Sequence, residues 1–321
     1  MLESSLHCWV LTDGKVGMES QCVGLAEKLG LNPELKRIAP RFPWSILPPQ
    51  FWIAPLSAAG DAGDQLAPPW PDILIATGRQ TVAPALGIKK ANAATFAIQL
   101  QNPTFGRNRF DLVIVPKHDQ IAGENVVQTS GALHGVTQDR LKEAHSEYAQ
   151  QYGSLPRPVI GVLIGGTNKT FHFTENDAER LSAMLCKMAE ESGGSLAITP
   201  SRRSGDENIQ IIKNNLSGQN FDLWNGSGNN PYFGILAHAD AFVVTGDSVN
   251  MVSEAIATEK PVYVYQLTGG SAKFSRFHDE MESAGKTRPF TGQVEIWEST
   301  GTNDMTIAAK AVKQAWDSHK N

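Results

Sequence analysis

The chain has 321 residues, of which 41% are hydrophobic and 19% charged, and its formal net charge is -5. At roughly 100–200 residues per domain, this length predicts two globular domains. Basic and acidic residues are balanced in both halves, 13 and 14 in residues 1–150 and 15 and 19 in residues 151–321. No basic stripe is present, so we expect no nucleic-acid partner.

The cysteines and the apolar runs indicate a compartment. Cys8, Cys22 and Cys186 are too widely spaced for a disulfide framework or a zinc site, which is typical of a reducing environment. No apolar run approaches the ~20 residues of a membrane span, and the start lacks the pattern of a secretory signal. Since the histidines show no metal-ligand spacing either, we expect a cytoplasmic protein without a bound metal.

Short apolar runs alternate with helix-length amphipathic segments, which predicts an α/β fold with mostly parallel sheets and helices on both faces. In the first half, strands are predicted at 7–12, 72–76, 95–100 and 111–115, with a helix at 19–29. The alternation restarts after a polar helical stretch, with strands at 159–164, 195–199, 221–224, 241–245 and 261–265.

This restart predicts two doubly wound, Rossmann-like domains that face a cleft. We place the first at residues 1–155 and the second at 156–304, and expect a closing helix at 305–318 to pack back on the first domain. Ligands of such sheets bind beyond the carboxyl ends of the strands, so the turns that follow the strands carry the candidate residues.

The first turn of the second domain is rich in glycine and ends in a cation. Its residues are Gly165, Gly166, Thr167, Asn168 and Lys169. Glycine amides after a buried strand can approach an anion, and a lysine adds charge. The turn matches neither the dinucleotide nor the Walker pattern, so a phosphate cradle and a tight structural turn both remain open.

The next strand leads into Ser201, Arg202 and Arg203. Guanidinium groups bind phosphate oxygens in a bidentate manner, so this pair suits a diphosphate. A solvated surface pair is the alternative.

A strand followed by a capped helix forms the third candidate, with Asp247 and Ser248 at the cap. The N–H groups of Ser248 and Val249 are predicted to form an anion site. Glu254 lies six residues further, about 9 Å at 1.5 Å per residue, where it could accept from ribose hydroxyls. A helix-surface acid is the alternative for Glu254.

Two further residues are candidates with open alternatives. Trp224 precedes a glycine-rich loop and could stack on a base, or it belongs to the core. Asp13 follows the first strand and could act as a general base, or it caps the turn. We count Lys15, in the same turn, with Asp13 as a catalytic candidate.

Residues 40–71 contain eight prolines interleaved with aromatic and aliphatic residues. Such a segment could form a patch that enters a membrane interface, and we assign that possibility to residues 40–56. An irregular loop packed on the first domain is the alternative.

The whole arrangement resembles the two-domain nucleotide-sugar glycosyltransferase fold known as GT-B. Five stretches more specifically resemble the "elongated mitochondria" mitochondrial-fission family of plants and its proteobacterial relatives. They are Asp13-Gly-Lys-x-Gly17 with Gln21, Gly165-Gly166-x-Asn168-Lys169, Ser201-Arg202-Arg203, Asn230-Pro231-Tyr232, and Thr245-x-Asp247-Ser248-Val249-Asn250-Met251-x-Ser253-Glu254-Ala255. The resemblance adds Asn250 and Met251 to the expected donor site.

The resemblance implies a metal-independent glycosyltransferase that uses a nucleoside-diphosphate sugar as substrate, needs no cofactor and acts on an unidentified acceptor, either lipid-linked or at a membrane surface. The alternative is a non-catalytic adaptor that recruits a dynamin-like GTPase to a membrane. A serine hydrolase built on Ser248 and His278 is a third hypothesis, although the chain has no G-x-S-x-G elbow.

Overall fold

The computed structural model describes residues 2–293 and 295–320. Its chain divides into two compact units, residues 1–135 with 303–321, and residues 136–302. No helix among the described residues is both long and apolar enough to cross a bilayer.

The first unit is a doubly wound parallel sheet. Over the described residues its strands are β1 Cys8–Thr12, β2 Pro33–Arg37, β3 Ile73–Thr77, β4 Phe96–Leu100, β5 Leu112–Pro116 and β6 Val126–Thr129. In the sheet they lie in the order β2-β1-β3-β4-β5-β6. Its first three α-helices are α1 Val16–Leu29, α2 Pro55–Ala58 and α3 Val82–Ala91. Short 3-10 helices lie at Pro49–Phe51, Arg79–Thr81, Arg107–Arg109 and Lys117–Asp119.

Both faces of this sheet are buried, which explains the continuous apolar runs. Along β1, Cys8 and Val10 face one hydrophobic cluster while Trp9 and Leu11 face the other. Successive side chains of a strand point to opposite faces, so a strand covered on both sides needs apolar residues throughout.

The second unit repeats the plan. The strands are β7 Val159–Ile164, β8 Phe171–His172, β9 Ser195–Pro200, β10 Phe221–Leu223, β11 Ala241–Thr245, β12 Val262–Tyr265, β13 Thr268–Gly269 and β14 Arg288–Pro289. A parallel sheet has the order β10-β9-β7-β11-β12-β14, and a two-stranded ribbon pairs β13 with β8. The helices are α4 Gln138–Glu147, α5 Ala149–Tyr152, α6 Glu175–Ser192, α7 Asp206–Asn215, α8 Tyr232–His238, α9 Val249–Ile256 and α10 Ala272–Ser283.

The last helix, α11 Asp304–His319, belongs to the first unit. Its Ala308, Val312 and Trp316 are buried in the cluster that also covers β1 and α1. The Asp304 carboxylate accepts backbone N–H groups of Ser130 and Gly131 at 2.8 and 2.9 Å, which fixes the helix start.

The boundary between the units differs from the predicted one near residue 155. Residues 136–155 belong to the second unit because α4 packs on α8. The rings of His145 and His238 stack with centroids 4.1 Å apart, and a Cβ on Gly234 would lie 2.4 Å from Tyr148 Cγ. The composition predicted a polar helical stretch here, and these contacts place residues 136–155 in the second unit.

Candidate functional site

The candidate site lies where the second sheet reverses its direction of winding. From β7 the chain continues to β9 and β10 on one side, while β11 and β12 lie on the other. In open α/β sheets the crevice at such a switch point, beyond the carboxyl strand ends, is the usual ligand position. The loops after β7 and β11, residues 165–170 and 246–248, therefore form the centre of the site.

The Asp247 carboxylate joins these two loops from inside. Its side chain is fully buried. Oδ2 accepts the Gly166 N–H at 3.0 Å and lies 3.0 Å from Arg203 Nη2, while Oδ1 accepts the Thr245 hydroxyl at 2.7 Å. Thr245 Oγ1 in turn accepts the Gly165 N–H at 2.7 Å. Burial raises the pKa of Asp247, and the bonds from Thr245 and Gly166 with the Arg203 charge oppose that rise.

This network explains why both loop residues are glycine. A Cβ on Gly165 would lie 2.1 Å from Asp247 Oδ1, and one on Gly166, whose φ is +149°, would lie 2.1 Å from the Arg203 carbonyl oxygen. Both amides donate to protein groups, so the expectation that they point at an anion is not met in this structure. The glycines instead allow the buried carboxylate and the backbone after β9 to approach.

The N–H groups at the start of α9 differ from those of Gly165 and Gly166 in their partners. The Ser248 hydroxyl accepts from the Met251 N–H at 3.3 Å and so caps the helix. Within the described parts of the chain, nothing accepts from the N–H groups of Ser248 and Val249, and both residues are partly exposed. These two amides are therefore unpaired among the described residues, and the anion site predicted for them stays a prediction.

Glu254 lies on the buried face of α9, and only 8% of its surface is exposed. Its Oε2 accepts the Tyr232 hydroxyl at 2.6 Å, whereas no residue that the structure describes donates a hydrogen bond to Oε1. Burial raises the pKa of Glu254 to about 7, opposed by the Tyr232 bond and by the positive charge of Arg140. Glu254 is therefore not a helix-surface acid but a buried carboxylate with one oxygen unclaimed.

The Asn230-Pro231-Tyr232 stretch places the tyrosine. The Asn230 side-chain oxygen accepts the Thr199 hydroxyl at 3.1 Å and the Tyr232 N–H at 3.0 Å. The end of β9 is thus tied to the start of α8, which carries Tyr232. Burial and the neighbouring Glu254 raise the pKa of Tyr232, so its hydroxyl stays protonated and donates.

The other residues of the glycine turn hold its shape. The Asn168 side chain accepts the N–H groups of Thr170 and Phe171 at 2.8 and 3.0 Å, and Thr167 Oγ1 accepts the Phe173 N–H at 3.0 Å. The side chain of Lys169 is exposed. The turn therefore presents one cation on a backbone stabilised by its own side chains.

The loop after β9 is tied to the same turn. The Ser201 hydroxyl donates to the Gly165 carbonyl oxygen at 2.7 Å, and the Thr167 N–H donates to the Arg203 carbonyl oxygen at 3.0 Å. Arg203 pairs with Asp247, as described above, while Arg202 is exposed. Arg203 is exposed as well, with 40% of its side chain accessible, so both predicted arginines reach solvent and one of them also pairs with Asp247.

Trp224 lies at the edge of this region rather than in the core. It is partly exposed, and its Nε1 donates to the Ser227 carbonyl oxygen at 2.9 Å. This bond closes the glycine-rich loop on the indole, so the ring has a fixed position.

Among the described residues, the hydrogen bond of His278 is with Gly246 and not with Ser248. His278 Nε2 lies 2.7 Å from the Gly246 carbonyl oxygen, and the ring is 8% exposed. Burial lowers its pKa, so the neutral ring donates this bond. Since the Ser248 hydroxyl caps α9, the geometry does not support a serine nucleophile.

In the first unit, Asp13 and Lys15 follow β1, beside the switch point between β1 and β3. The two side chains form an ion pair, and 6% of the Asp13 side chain is exposed against 64% for Lys15. The Gly14 N–H donates to Thr12 Oγ1 at 3.2 Å, which shapes the turn.

Three residues that contribute to the site were not predicted as site residues from the sequence. Thr245 and Tyr232 were noticed only within motifs, and Arg140, whose charge acts on Glu254, was not noticed. Arg140 lies on α4, more than 100 residues from Glu254, and no local pattern connects them. Within residues 2–293 and 295–320 no cluster of three His, Cys, Asp or Glu suits a metal ion.

Known protein families match this chain over nearly its full length. The model of the family described as Mitochondrial fission ELM1 matches residues 16–316. The mitochondrial fission protein ELM1 of Arabidopsis thaliana is 33% identical in an alignment of 273 positions that covers 76% of this chain and 64% of that protein. An uncharacterised protein of Rickettsia prowazekii is 26% identical in an alignment of 351 positions that covers 96% of this chain and 97% of that protein.

Solved structures agree on the fold. UDP-GlcNAc 2-epimerase from Neisseria meningitidis, bound to UDP-GlcNAc, matches with a TM-score of 0.55 at 14% identity, covering 96% of this chain and 100% of its own. The Rickettsia bellii UDP-N-acetylglucosamine 2-epimerase matches with a TM-score of 0.55 at 11% identity, covering 98% and 96%. The expected α/β class with parallel sheets, which these epimerases share, is confirmed. On the family match and the Arabidopsis relative, this chain belongs to the mitochondrial fission ELM1 family.

Proposed function

We propose that the second unit binds a nucleoside-diphosphate sugar and that the protein transfers the glycosyl group to an acceptor. The observation that carries the proposal is on α9: the available amides of Ser248 and Val249 at its start, and the unclaimed oxygen of Glu254 six residues on. Their separation along the helix is about 9 Å. This suits the diphosphate and the ribose hydroxyls of one nucleotide.

The remaining donor contacts follow from the loops around α9. Lys169 and Arg202 are exposed and supply positive charge to the leaving diphosphate, which replaces a divalent ion in this proposal. Arg203 adds charge that Asp247 partly neutralises. Gly165, Gly166, Thr167, Asn168 and Ser201 shape the loop, Asn250 and Met251 continue the first turn of α9, and Trp224 stacks on the base.

The relatives in fold support a sugar-handling enzyme. The Neisseria epimerase is bound to UDP-GlcNAc, so UDP is the first probe to test. The reaction products distinguish transfer from epimerisation. Release of UDP that depends on an acceptor supports transfer, and conversion of UDP-GlcNAc to a second UDP-sugar without an acceptor contradicts it.

Asp13 is the catalytic residue that this proposal assigns within the first unit. Asp13 acts as the general base on the attacking hydroxyl, and its ion pair with Lys15 holds the carboxylate in place. An Asp13→Asn variant should lose transfer while keeping nucleotide affinity. Equal transfer by this variant would remove Asp13 from the mechanism.

Nucleotide binding is tested by calorimetry with UDP, GDP and ADP. A charge-assisted hydrogen bond is worth about 1.5–3 kcal/mol, so Glu254→Ala should bind the preferred nucleotide about 10- to 100-fold more weakly. Glu282→Ala, which removes an exposed acid on α10, is the matched control and should bind like the wild type. The proposal fails if no nucleotide binds, or if Glu254→Ala binds equally well.

The name of the Arabidopsis relative, a mitochondrial fission protein, favours a second candidate function. In it the chain is a non-catalytic adaptor that recruits a dynamin-like GTPase to a membrane. The buried Asp247 carboxylate takes the Gly166 N–H, which leaves that amide unavailable to a phosphate and agrees with a fold kept for its shape. A pull-down with such a GTPase on vesicles separates the two, because an adaptor should work equally well with Glu254→Ala.

A further inference from the structure

Exposed apolar side chains are concentrated in one short segment of the first unit. Seven large hydrophobic residues are exposed among those that the structure describes, and four of them lie within twelve residues. The four, which we call the apolar wedge, are Phe42, Ile46, Phe51 and Ile53, with exposed fractions of 76%, 63%, 61% and 75%. A cluster of this kind on a protein surface marks an interaction site.

Residues 41–47, the first half of this segment, form helical turns, so their side chains point to two different sides. The Ser45 N–H donates to the Arg41 carbonyl oxygen and the Leu47 N–H to the Pro43 carbonyl oxygen, both at 3.1 Å. This i to i+4 spacing is that of a helical turn, so Phe42 and Ile46, four residues apart, point the same way.

The opposite side of the segment anchors it to the first unit. The rings of Trp44 and Trp52 lie with centroids 6.2 Å apart, and Trp52 Nε1 donates to the Leu47 carbonyl oxygen at 3.2 Å. Trp52 is buried with Ala58 and Ala83, and Trp44 and Leu47 pack on them. The wedge is therefore held on a packed base.

The surrounding charge favours a lipid surface. Residues 42–60 contain no ionisable side chain, and the nearest ones along the chain, Arg41 and Asp61, pair with each other at 3.0 Å. Carboxylates would be repelled by anionic headgroups, and buried charges oppose insertion.

The area of the wedge argues against a second copy of this chain. At roughly 200 Å² for each side chain, the exposed fractions correspond to about 550 Å². A stable protein–protein interface buries about 800 Å² on each partner. Partial insertion into a bilayer has no such lower limit, because the gain rises with each apolar group that leaves water.

We propose that Phe42, Ile46, Phe51 and Ile53 insert into the interfacial region of a lipid bilayer and attach the first unit to the membrane surface. This attachment is independent of nucleotide binding. It would present the protein to an acceptor or a partner that is itself at the membrane.

The test is co-sedimentation of the full chain with vesicles of phosphatidylcholine and phosphatidylglycerol. The wild type should pellet with the vesicles, and the Phe42→Ser/Ile46→Ser double variant should bind at least fivefold less. Ile296→Ser/Ile307→Ser removes two exposed isoleucines from elsewhere on the chain and should bind like the wild type. Brominated lipids should quench tryptophan fluorescence in the wild type and less in the wedge variant.

Two further variants make the outcome decisive. Phe42→Leu/Ile46→Leu keeps the apolar surface and should retain binding, which shows that the serine variant is not merely misfolded. Glu254→Ala should bind vesicles like the wild type. A failure of the nucleotide-binding proposal can therefore be told apart from a failure of the membrane-binding proposal. The proposal is overturned if the wild type stays in the supernatant, if the serine variant pellets equally, or if sedimentation velocity shows a dimer that the serine variant abolishes.

Discussion

The Tyr232 hydroxyl donates a 2.6 Å hydrogen bond to Oε2 of Glu254, and this bond links α8 to α9 inside the second unit. It satisfies one oxygen of a carboxylate whose pKa burial raises to about 7. The other oxygen is left without a donor among the described residues. The pair thus holds the acid in one orientation while leaving half of its hydrogen-bonding capacity for a ligand.

Glu254→Gln should change how stability depends on pH. The folded wild type keeps a proton on Glu254 between pH 4.5 and about 7 that the unfolded chain has lost, so its free energy of unfolding falls as pH rises. One pKa unit corresponds to about 1.4 kcal/mol. Between pH 4.5 and 7.5 the free energy of unfolding of the variant should therefore rise by about 3 kcal/mol relative to that of the wild type. Urea denaturation at several pH values measures this difference, and a constant difference would contradict the raised pKa.

Tyr232→Phe should destabilise the protein, because it leaves a buried carboxylate without its donor. The expected loss at pH 8 is about 1–3 kcal/mol. At pH 5, where Glu254 is protonated, the loss should be smaller. Urea denaturation of the Tyr232→Phe/Glu254→Gln double variant completes a double-mutant cycle. If the stability changes of the two single variants simply added, the two side chains would not interact.

Gly165→Ala should be strongly destabilising because the new Cβ would lie 2.1 Å from Asp247 Oδ1. Overpacking of this kind costs about 1–3 kcal/mol or more. In an Asp247→Ala background the same change should cost clearly less, since the clashing carboxylate is gone. Thermal unfolding of the two single variants and the double variant tests this, and an equal cost in both backgrounds would contradict the contact.

Asp304→Ala should weaken the attachment of the final helix. It removes the acceptor of the Ser130 and Gly131 N–H groups, and Asp304 is 1% exposed. Leaving buried donors unsatisfied costs about 1–3 kcal/mol. Limited proteolysis near residue 303 and urea denaturation should both report the loss, whereas Glu124→Ala, at an exposed acid, should behave like the wild type.

The strands of both sheets were largely predictable from the sequence, for a physical reason. A parallel strand covered on both faces must be apolar throughout, so Val159–Ile164 and Ala241–Thr245 are found as uninterrupted runs. Two strands of the first sheet were missed: Pro33–Arg37, which is largely polar, and Val126–Thr129. Both are edge strands, and an edge strand needs less apolar surface.

The sequence by itself determined the fold class, the turns that carry the candidate site, and the place of Ser248 and Glu254 on one helix, because these depend on local periodicity and capping. The tertiary structure decided which amides are available. Asp247, 81 residues beyond Gly166, takes the Gly166 N–H, and Thr245 takes that of Gly165. Such pairings depend on which strands are neighbours in the sheet, and the local pattern of residues does not contain that information.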